Sequence, residues 1–454
     1  MTQATLDDSG SACTSLGPEL IANGDFHQGA IGGVPDGWTV MAPNPVLAPT
    51  FALVQSDDGR RALQAQGNGR PACMGWIQTL VTLRANTTYR LCVEFHSQGL
   101  DDVNHHLVHG VFSLADDGAQ FNQGVFSYRW RDGRIVGTAS FRGPAKDSQV
   151  TVRLYFRHSA SGRVCWDRVS LRPCQAISQR LVKIAVTQGA QGLDHWAAVL
   201  TAAGQAGCDV ALLPEMFDQN SKPMEAPTLD GAAVRLLADQ ARRYAMYVAG
   251  SLYLRRGDLV YNSAPLFDRL GNLVGIHDKN VLYEPELNGG ATCGDQLSVF
   301  TTDLGKVGIM TCYESWFPAV AQLLALRGAE LILFPSAGYY TQLIHARSAD
   351  NGVVIAASSL GGDYDVWDTA GNRAGGEAPP DPSRHAPTNI IAIDRRPGMK
   401  LMLVTVDLSQ QPSPHCWGGP MYSAPGGRRV RNTCPADLEQ QVAGEARRWC
   451  DDQP

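Results

Sequence analysis

The sequence predicts two parts: an all-β sandwich, then an α/β domain built on two sheets covered by helices. Three observations carry this. Strand-sized runs rich in β-branched and aromatic residues recur between Gly, Asn and Asp turns up to about residue 175. From Leu181 onward, strand-like and helix-like segments alternate. Within that second part the sequence echoes itself. Gly207-Cys208-Asp209-Val210-Ala211-Leu212-Leu213-Pro214-Glu215 matches Gly328-Ala329-Glu330-Leu331-Ile332-Leu333-Phe334-Pro335-Ser336. In each copy a helix ends at glycine, an acid leads into an apolar strand, and proline stops it. A two-fold repeat of this kind gives two sheets, with functional side chains just past the strand ends.

The length, 454 residues, suits two or three domains. Hydrophobic content of 44% and charged content of 18% are those of a globular protein. The net charge of −6 leaves no basic surplus for nucleic acid or anionic lipid. No apolar run is long enough for a membrane span, and residues 1–8 lack a basic region followed by an apolar one, so the expectation is a cytoplasmic protein. The eleven cysteines contain no C-x-x-C pair, which argues against zinc and against a full disulfide framework. Cys165 and Cys174 are close enough in sequence to leave one disulfide open.

In the first part, strands are expected at residues 75–83, 88–95, 107–114, 150–156 and 164–171. The adjacent pair His105-His106 points to opposite faces of a strand, so it does not share a metal. Trp38, Trp76, Tyr128 and Trp130 read as core or rim aromatics. The run Glu19-Leu20-Ile21-Ala22-Asn23-Gly24-Asp25-Phe26 with Gly37-Trp38, and Val164-Cys165-Trp166-Asp167-Arg168-Val169-Ser170-Leu171 at the far end, resemble the ends of a jelly-roll carbohydrate-binding module. The resemblance covers residues 1–175 and implies a glycan or polymer partner; no ligand is assigned to named residues.

A connector at 173–179 leads into the second part. Strands are expected at 182–186, 210–213, 246–251 and 401–408, and helices at 195–204 and 234–244. Its centre is Lys306-Val307-Gly308-Ile309-Met310-Thr311-Cys312-Tyr313-Glu314-Ser315-Trp316-Phe317-Pro318. An apolar strand breaks into a cysteine and a polar-aromatic turn, and Pro318 opens a helix over 319–326. Cys312 thus sits at a strand end facing a helix start, where backbone N–H groups can hold an anion. An ordinary buried cysteine fits this stretch alone equally well. Two further residues decide between them. Leu212-Leu213-Pro214-Glu215 supplies a carboxylate past a strand, and His277-Asp278-Lys279-Asn280-Val281-Leu282 a lysine.

Glu215, Lys279 and Cys312, in that order and at intervals of 64 and 33 residues, resemble the nitrilase superfamily of carbon–nitrogen hydrolases. Phe334-Pro335-Ser336-Ala337, the stretch 346–352 and Trp367-Asp368-Thr369-Ala370-Gly371-Asn372 extend the likeness, which implies a hydrolase domain over residues 180–410. It also implies a four-layer αββα sandwich, no metal or organic cofactor, and homo-oligomers. The superfamily often adds a second glutamate. Glu284 and Glu286 are the candidates, and Glu286 is preferred because it leads directly into Gly289-Gly290. Arg347, Asp350 and Asn351 read as bracing residues.

These residue types suit hydrolysis of a small-molecule amide or carbamoyl amide. Glu215 takes the thiol proton, Cys312 attacks to form a thioester, and Lys279 with the backbone N–H of Tyr313 holds the oxyanion. Glu286 orients Lys279 and the substrate. Nitrilases usually carry Cys-Trp-Glu; here Cys312-Tyr313-Glu314 favours an amide substrate. Cys-Tyr-Glu also occurs in membrane-bound N-acyltransferases, whose spans this chain lacks. The alternatives are a nitrilase, or a glycan-binding protein with a silent hydrolase domain. Residues 411–454, rich in Pro, Gly and Arg, read as a tail wrapping a neighbouring surface, with Gly426-Gly427-Arg428-Arg429-Val430-Arg431 basic and a short helix at 438–449.

Overall fold

The structure is a computed structural model. It describes residues 17–409 apart from 56–58, 101–105, 114–121, 126, 132–133, 145, 176–177, 370 and 377–388. The tail expected at 411–454 and His105 lie outside the described residues, as do the side chains of Tyr128 and Trp130. Two compact units meet in sequence between Ser178 and Gln179.

The first unit holds β1 (Thr39–Met41), β2 (Thr50–Gln55), β3 (Arg61–Gln66), β4 (Met74–Leu83), β5 (Thr88–Gln98), β6 (Leu107–Ser113), β7 (Asn122–Gly124), β8 (Ser127–Arg131), β9 (Arg134–Arg142), β10 (Ser148–Arg157) and β11 (Arg163–Pro173). They form two antiparallel sheets, ordered β1-β4-β10-β6-β7 and β2-β3-β11-β5-β9-β8. Alternate residues face inward, the two-residue period of a half-buried strand: Ile77 and Val81 on β4, Leu91, Val93 and Phe95 on β5. Both sheets contribute to one core, so this unit is a β-sandwich. Trp38 packs on Phe26 inside it. The open disulfide is excluded by register. Cys165 lies near one end of β11 and Cys174 just past the other, about 30 Å apart along an extended chain, whereas a disulfide needs about 4–7 Å between Cα atoms.

The second unit continues with β12 (Leu181–Thr187), α1 (Leu193–Gln205), β13 (Val210–Glu215), α2 (Ala232–Tyr244), β14 (Tyr247–Arg256), β15 (Leu259–Phe267) and β16 (Leu273–Asp278). After a short α3 (Glu284–Asn288) come β17 (Val299–Thr302), β18 (Gly305–Ile309), α4 (Pro318–Leu326), β19 (Leu331–Ser336), α5 (Thr341–Asn351), β20 (Val354–Ser359), β21 (Asp365–Trp367), β22 (Ile390–Arg396) and β23 (Leu401–Asp407). One sheet has the order β16-β15-β14-β13-β12-β23-β22 and the other β17-β18-β19-β20-β21. The strands β12, β13 and β14 are parallel, as are β18, β19 and β20. The sheets face each other across Ile184, Leu212, Ile309, Leu333 and Ala356. The first sheet's outer face is covered by α1 and α2 through Trp196, Leu200, Val234 and Leu237. The second is covered by α4 and α5 through Val320, Leu324 and Ile344. The layers are therefore helix, sheet, sheet, helix.

The sequence echo is a structural repeat. Gly207 and Gly328 both take positive φ, 70° and 103°, ending α1 and following α4. In the first copy the carboxylate of Asp209 accepts from the Lys183 N–H at 2.9 Å, and in the second that of Glu330 accepts from the Lys306 N–H at 3.2 Å. The acid preceding each strand thus ties it to its parallel neighbour. A polar pin joins the sheets near the strand ends: the Ser358 hydroxyl on β20 accepts from the Thr187 N–H at 2.9 Å and donates to the Leu212 carbonyl at 2.8 Å. Among the described residues, no helix is long and apolar enough to cross a membrane.

Candidate active site

The repeat carries two strand ends, Glu215 on β13 and Ser336 on β19, toward the turn that follows β18. The contact is direct: Glu215 Oε2 accepts from the Ala337 N–H at 2.8 Å. The other oxygen of Glu215 accepts from Lys279 Nζ at 2.9 Å and from Asn262 Nδ2 at 2.7 Å. Lys279 also donates to Glu286 Oε2 at 2.5 Å, and Asn262 Nδ2 to Glu286 Oε1 at 2.7 Å. Two carboxylates therefore share one ammonium and one amide. All three charged side chains are buried, Glu215 at 2%, Lys279 at 1% and Glu286 at 6% exposure. Such groups hold their charge in a dry interior only when paired this closely. Glu284, by contrast, is on the surface, so only Glu286 of the two candidates reaches Lys279.

Lys279 follows the last residue of β16, and its N–H donates to the carbonyl of Asn262 on β15 at 2.8 Å. Burial alone would strip its proton, but the carboxylates of Glu215 and Glu286 outweigh that and hold its pKa well above the usual lysine value. The N–H of Gly294 donates to the Lys279 carbonyl at 2.9 Å. Any side chain at Gly294 would collide with the Asp278 backbone, so this close approach requires glycine. Glu286 sits in α3, where its carboxylate also accepts from the Tyr283 N–H at 2.8 Å.

Cys312 is half-buried on a one-turn 3₁₀ segment, Cys312–Trp316, with φ of +44°. A left-handed cysteine is a strained position that the surroundings must enforce. The enforcing group is Glu314, wholly buried. Its Oε2 accepts from the Thr311 N–H at 2.6 Å and from His277 Nε2 at 2.9 Å, and its Oε1 accepts from the Asn280 N–H at 2.7 Å. Burial pushes the Glu314 pKa up; the His277 ring and the two backbone donors more than reverse this and hold it below the ordinary glutamate value. One carboxylate thus bonds the neighbour of Cys312 and the neighbour of Lys279. The turn is braced from behind by Arg347 Nε, which donates to the Ser315 carbonyl at 3.2 Å; Asn351 Nδ2 donates in turn to the Arg347 carbonyl at 2.8 Å. Asp350 is exposed.

The thiol of Cys312 lies 3.8 Å from the Gly338 carbonyl oxygen. Burial and then the charge of Glu215 push its pKa up to about 11, against the opposing pull of Lys279, so the resting group is a neutral thiol. At the start of a 3₁₀ turn the first N–H groups have no partner within the turn, and the first such bond here runs from the Glu314 N–H to the Thr311 carbonyl. The Tyr313 N–H precedes that bond in the turn. Among the described residues no group of three or more His, Cys, Asp or Glu is arranged to hold a metal ion. The two carboxylates that might have served are bridged by Lys279.

Sequence reasoning missed Asn262, His277 and Glu314. Asn262 had a signal, a lone amide within the apolar strand β15, and His277 a similar one in β16. Glu314 was visible only as part of the Cys-Tyr-Glu triplet.

The sequence profile of carbon–nitrogen hydrolases matches residues 174–430, more than half of the chain. The chain belongs to the carbon–nitrogen hydrolase family. It is similar to a hydrolase of Schizosaccharomyces pombe, 28% identical over 193 residues, covering 36% of this chain and 59% of that protein. It is also similar to the chloroplastic omega-amidase of Arabidopsis thaliana, 27% identical over 217 residues, covering 41% of this chain and 59% of that one. The match to the omega-amidase NIT2 of Mus musculus is 29% identical over 189 residues, covering 36% of this chain and 68% of that protein. Among solved structures, Saccharomyces cerevisiae Nit3, of branch 10 of the nitrilase superfamily, aligns with a TM-score of 0.42 and 21% identity over 51% of this chain and 91% of its own. An amidase from Nesterenkonia sp. aligns with a TM-score of 0.40 and 23% identity over 51% and 92%.

Proposed function

We propose that this protein hydrolyses the carbon–nitrogen bond of a small amide or carbamoyl amide through a thioester on Cys312. The observation that carries the reading is the buried ammonium of Lys279 shared between Glu215 and Glu286, beside a strained cysteine whose thiol is neutral at rest. The roles follow from charge. Glu215 accepts the thiol proton as sulfur attacks the carbonyl carbon. Negative charge leaves Glu215, passes to sulfur and ends on the substrate oxygen, so the net charge of the site does not change during attack. Neutralising Glu215 also frees Lys279 from one of its two carboxylates. Its ammonium can then face the oxyanion together with the Tyr313 N–H, and donors so placed contribute about 3–4 kcal/mol. Glu286 keeps its bond to Lys279 throughout and positions it. When the tetrahedral adduct collapses, Glu215 returns the proton to the departing ammonia or amine. Water, deprotonated by Glu215, then cleaves the thioester. The relatives named omega-amidases support amide over nitrile as substrate. Ammonia release from a panel of amides, ureido acids and matching nitriles tests the reading. Turnover of amides supports it; turnover of nitriles alone overturns it.

For residues 1–175 we propose a jelly-roll module that contacts a glycan-like or polymeric partner. The support is a cluster on the face of the five-stranded sheet turned away from the core. Trp76, half-buried, stacks at 5.0 Å on Tyr155; Tyr155 and Phe112 are themselves buried, so Trp76 is the ring of the cluster that reaches the surface. Retention of the full chain on insoluble polysaccharides, compared with Trp76→Ala, tests it; equal retention removes it.

A further inference from the structure

The mechanism leaves unused a row of aromatic rings carried by the segments that form the site. Tyr283, Tyr313, Trp316 and Tyr340 follow one another with ring centres 5.6, 6.4 and 5.4 Å apart. Three of them are half exposed or more: Tyr283 at 54%, Trp316 at 50% and Tyr340 at 62%. Their positions in the chain are not scattered. Tyr283 is the residue before α3, four past Lys279, and its N–H bonds Glu286. Tyr313 and Trp316 lie on the Cys312 turn itself. Tyr340 is two residues past Gly338, whose carbonyl oxygen is 3.8 Å from the Cys312 thiol. The segments that supply Lys279 with Glu286, Cys312 and the Gly338 carbonyl thus also supply the rings of the strip, whereas that of Glu215 supplies none. Exposing this much aromatic surface costs free energy unless something covers it.

We infer that this strip is an acyl-group subsite, and that the substrate is an amide whose acyl chain ends in an aromatic or extended apolar group. This inference rests on the amidase reading. Trp316 and Tyr340 meet edge to face, with ring planes at 90°, which leaves the ring faces and edges of an open corner for a planar group. The tyrosine hydroxyls keep the strip wettable when empty. The occupant is the substrate rather than a second copy of the chain, because Tyr313 and Trp316 share the turn of Cys312 and Tyr340 follows Gly338, whose carbonyl oxygen lies against the thiol.

The test compares 4-phenylbutanamide with butanamide. In the wild-type protein kcat/KM for the aryl amide is expected to exceed that for the small one by about tenfold or more, the discrimination a few apolar contacts supply. In Trp316→Ala and Tyr340→Ala that ratio is expected to fall by about tenfold, chiefly through a higher KM. The full-length Cys312→Ala protein should bind the aryl amide more tightly than butanamide in calorimetry. Preferred aryl binding without turnover of any amide keeps the subsite and removes the amidase reading. Turnover with no aryl preference, or a ratio unchanged in both variants, overturns the subsite and leaves the amidase reading standing. A ratio unchanged while Trp316→Ala converts an oligomer to monomers assigns the strip to contact between copies and overturns the inference.

Discussion

The two units handle buried polarity in opposite ways. In the sandwich, His109 is fully buried among apolar residues and accepts a hydrogen bond from Trp166 Nε1 at 2.8 Å. Burial pushes its pKa down to about 3, so it sits there uncharged. Ion pairs among its described residues, such as Arg172–Glu19 at 3.1 Å, are part-exposed. In the hydrolase unit, Glu215, Lys279, Glu286, His277 and Glu314 are all buried within one region, bonded to each other or to backbone N–H groups. Burying paired charges confers little net stability, and breaking such a pair costs about 3–5 kcal/mol. A fold that keeps several together in one place retains them for chemistry. At His109 the sandwich shows how a chain buries a polar group in neutral form when only packing is at stake.

The contrast is broken most severely at Cys312. Cys312→Ala is expected to lower kcat by about 10⁴-fold or more while the melting temperature barely moves. Glu215→Gln and Lys279→Ala are each expected to lower kcat by about 100-fold or more. Lys279→Ala also strands two carboxylates, so its thermal melt should drop by an amount matching about 3–5 kcal/mol. His109→Phe in the sandwich should change stability only, with kcat within about twofold of wild type. A large loss of activity there would erase the distinction between the units.

Glu215→Gln sharpens the picture through pH. It removes a negative charge that raises the thiol's pKa and leaves Lys279, which lowers it. The Cys312 thiol should therefore ionise below its wild-type value of about 11, seen as a thiolate absorbance absent from the Cys312→Ala background. A variant with a more acidic thiol and less activity separates proton acceptance by Glu215 from simple thiol acidity. A midpoint unchanged or higher contradicts the assignment.

Glu314 should give a smaller effect. As a positioning residue, Glu314→Gln is expected to cut kcat by about tenfold with KM little changed, because a neutral amide cannot accept from Thr311, Asn280 and His277 alike. Its pKa is depressed in the folded protein, so its stabilisation is present above the ordinary glutamate range and is lost as pH falls through the lowered value. The stability gap between wild type and variant should thus close on acidification. A gap constant across that window removes the ionic role. Smallest of all, a protein beginning near Gln179 is expected to fold and keep kcat on a small amide within about tenfold of the full chain. A folded but inactive protein would make the sandwich part of the active site.

Much of this was legible in the sequence, for reasons specific to each element. Strand β4 alternates at each residue, and α1 and α2 end at Gly207 and at Ala245, so local pattern sufficed. The repeat was readable because Asp209 and Glu330 do the same backbone task. Glu215, Lys279 and Cys312 stood out by the chemistry their spacing resembles. Asn262, His277 and Glu314 did not. Each acts through a partner far along the chain, 47 residues for Asn262 and Glu215 and 37 for His277 and Glu314, and no local pattern marks such pairings. The strain at Cys312 was equally hidden, since Glu314, which enforces it from two residues away, is itself held by His277 and Asn280 far along the chain.

The most direct test of the central claim is mass spectrometry of the full chain quenched during turnover of a slow amide. An acyl adduct is expected on the peptide carrying Cys312, absent in Cys312→Ala and diminished in Glu215→Gln. An adduct on Cys293 instead, or turnover of the amide in Cys312→Ala, would contradict it.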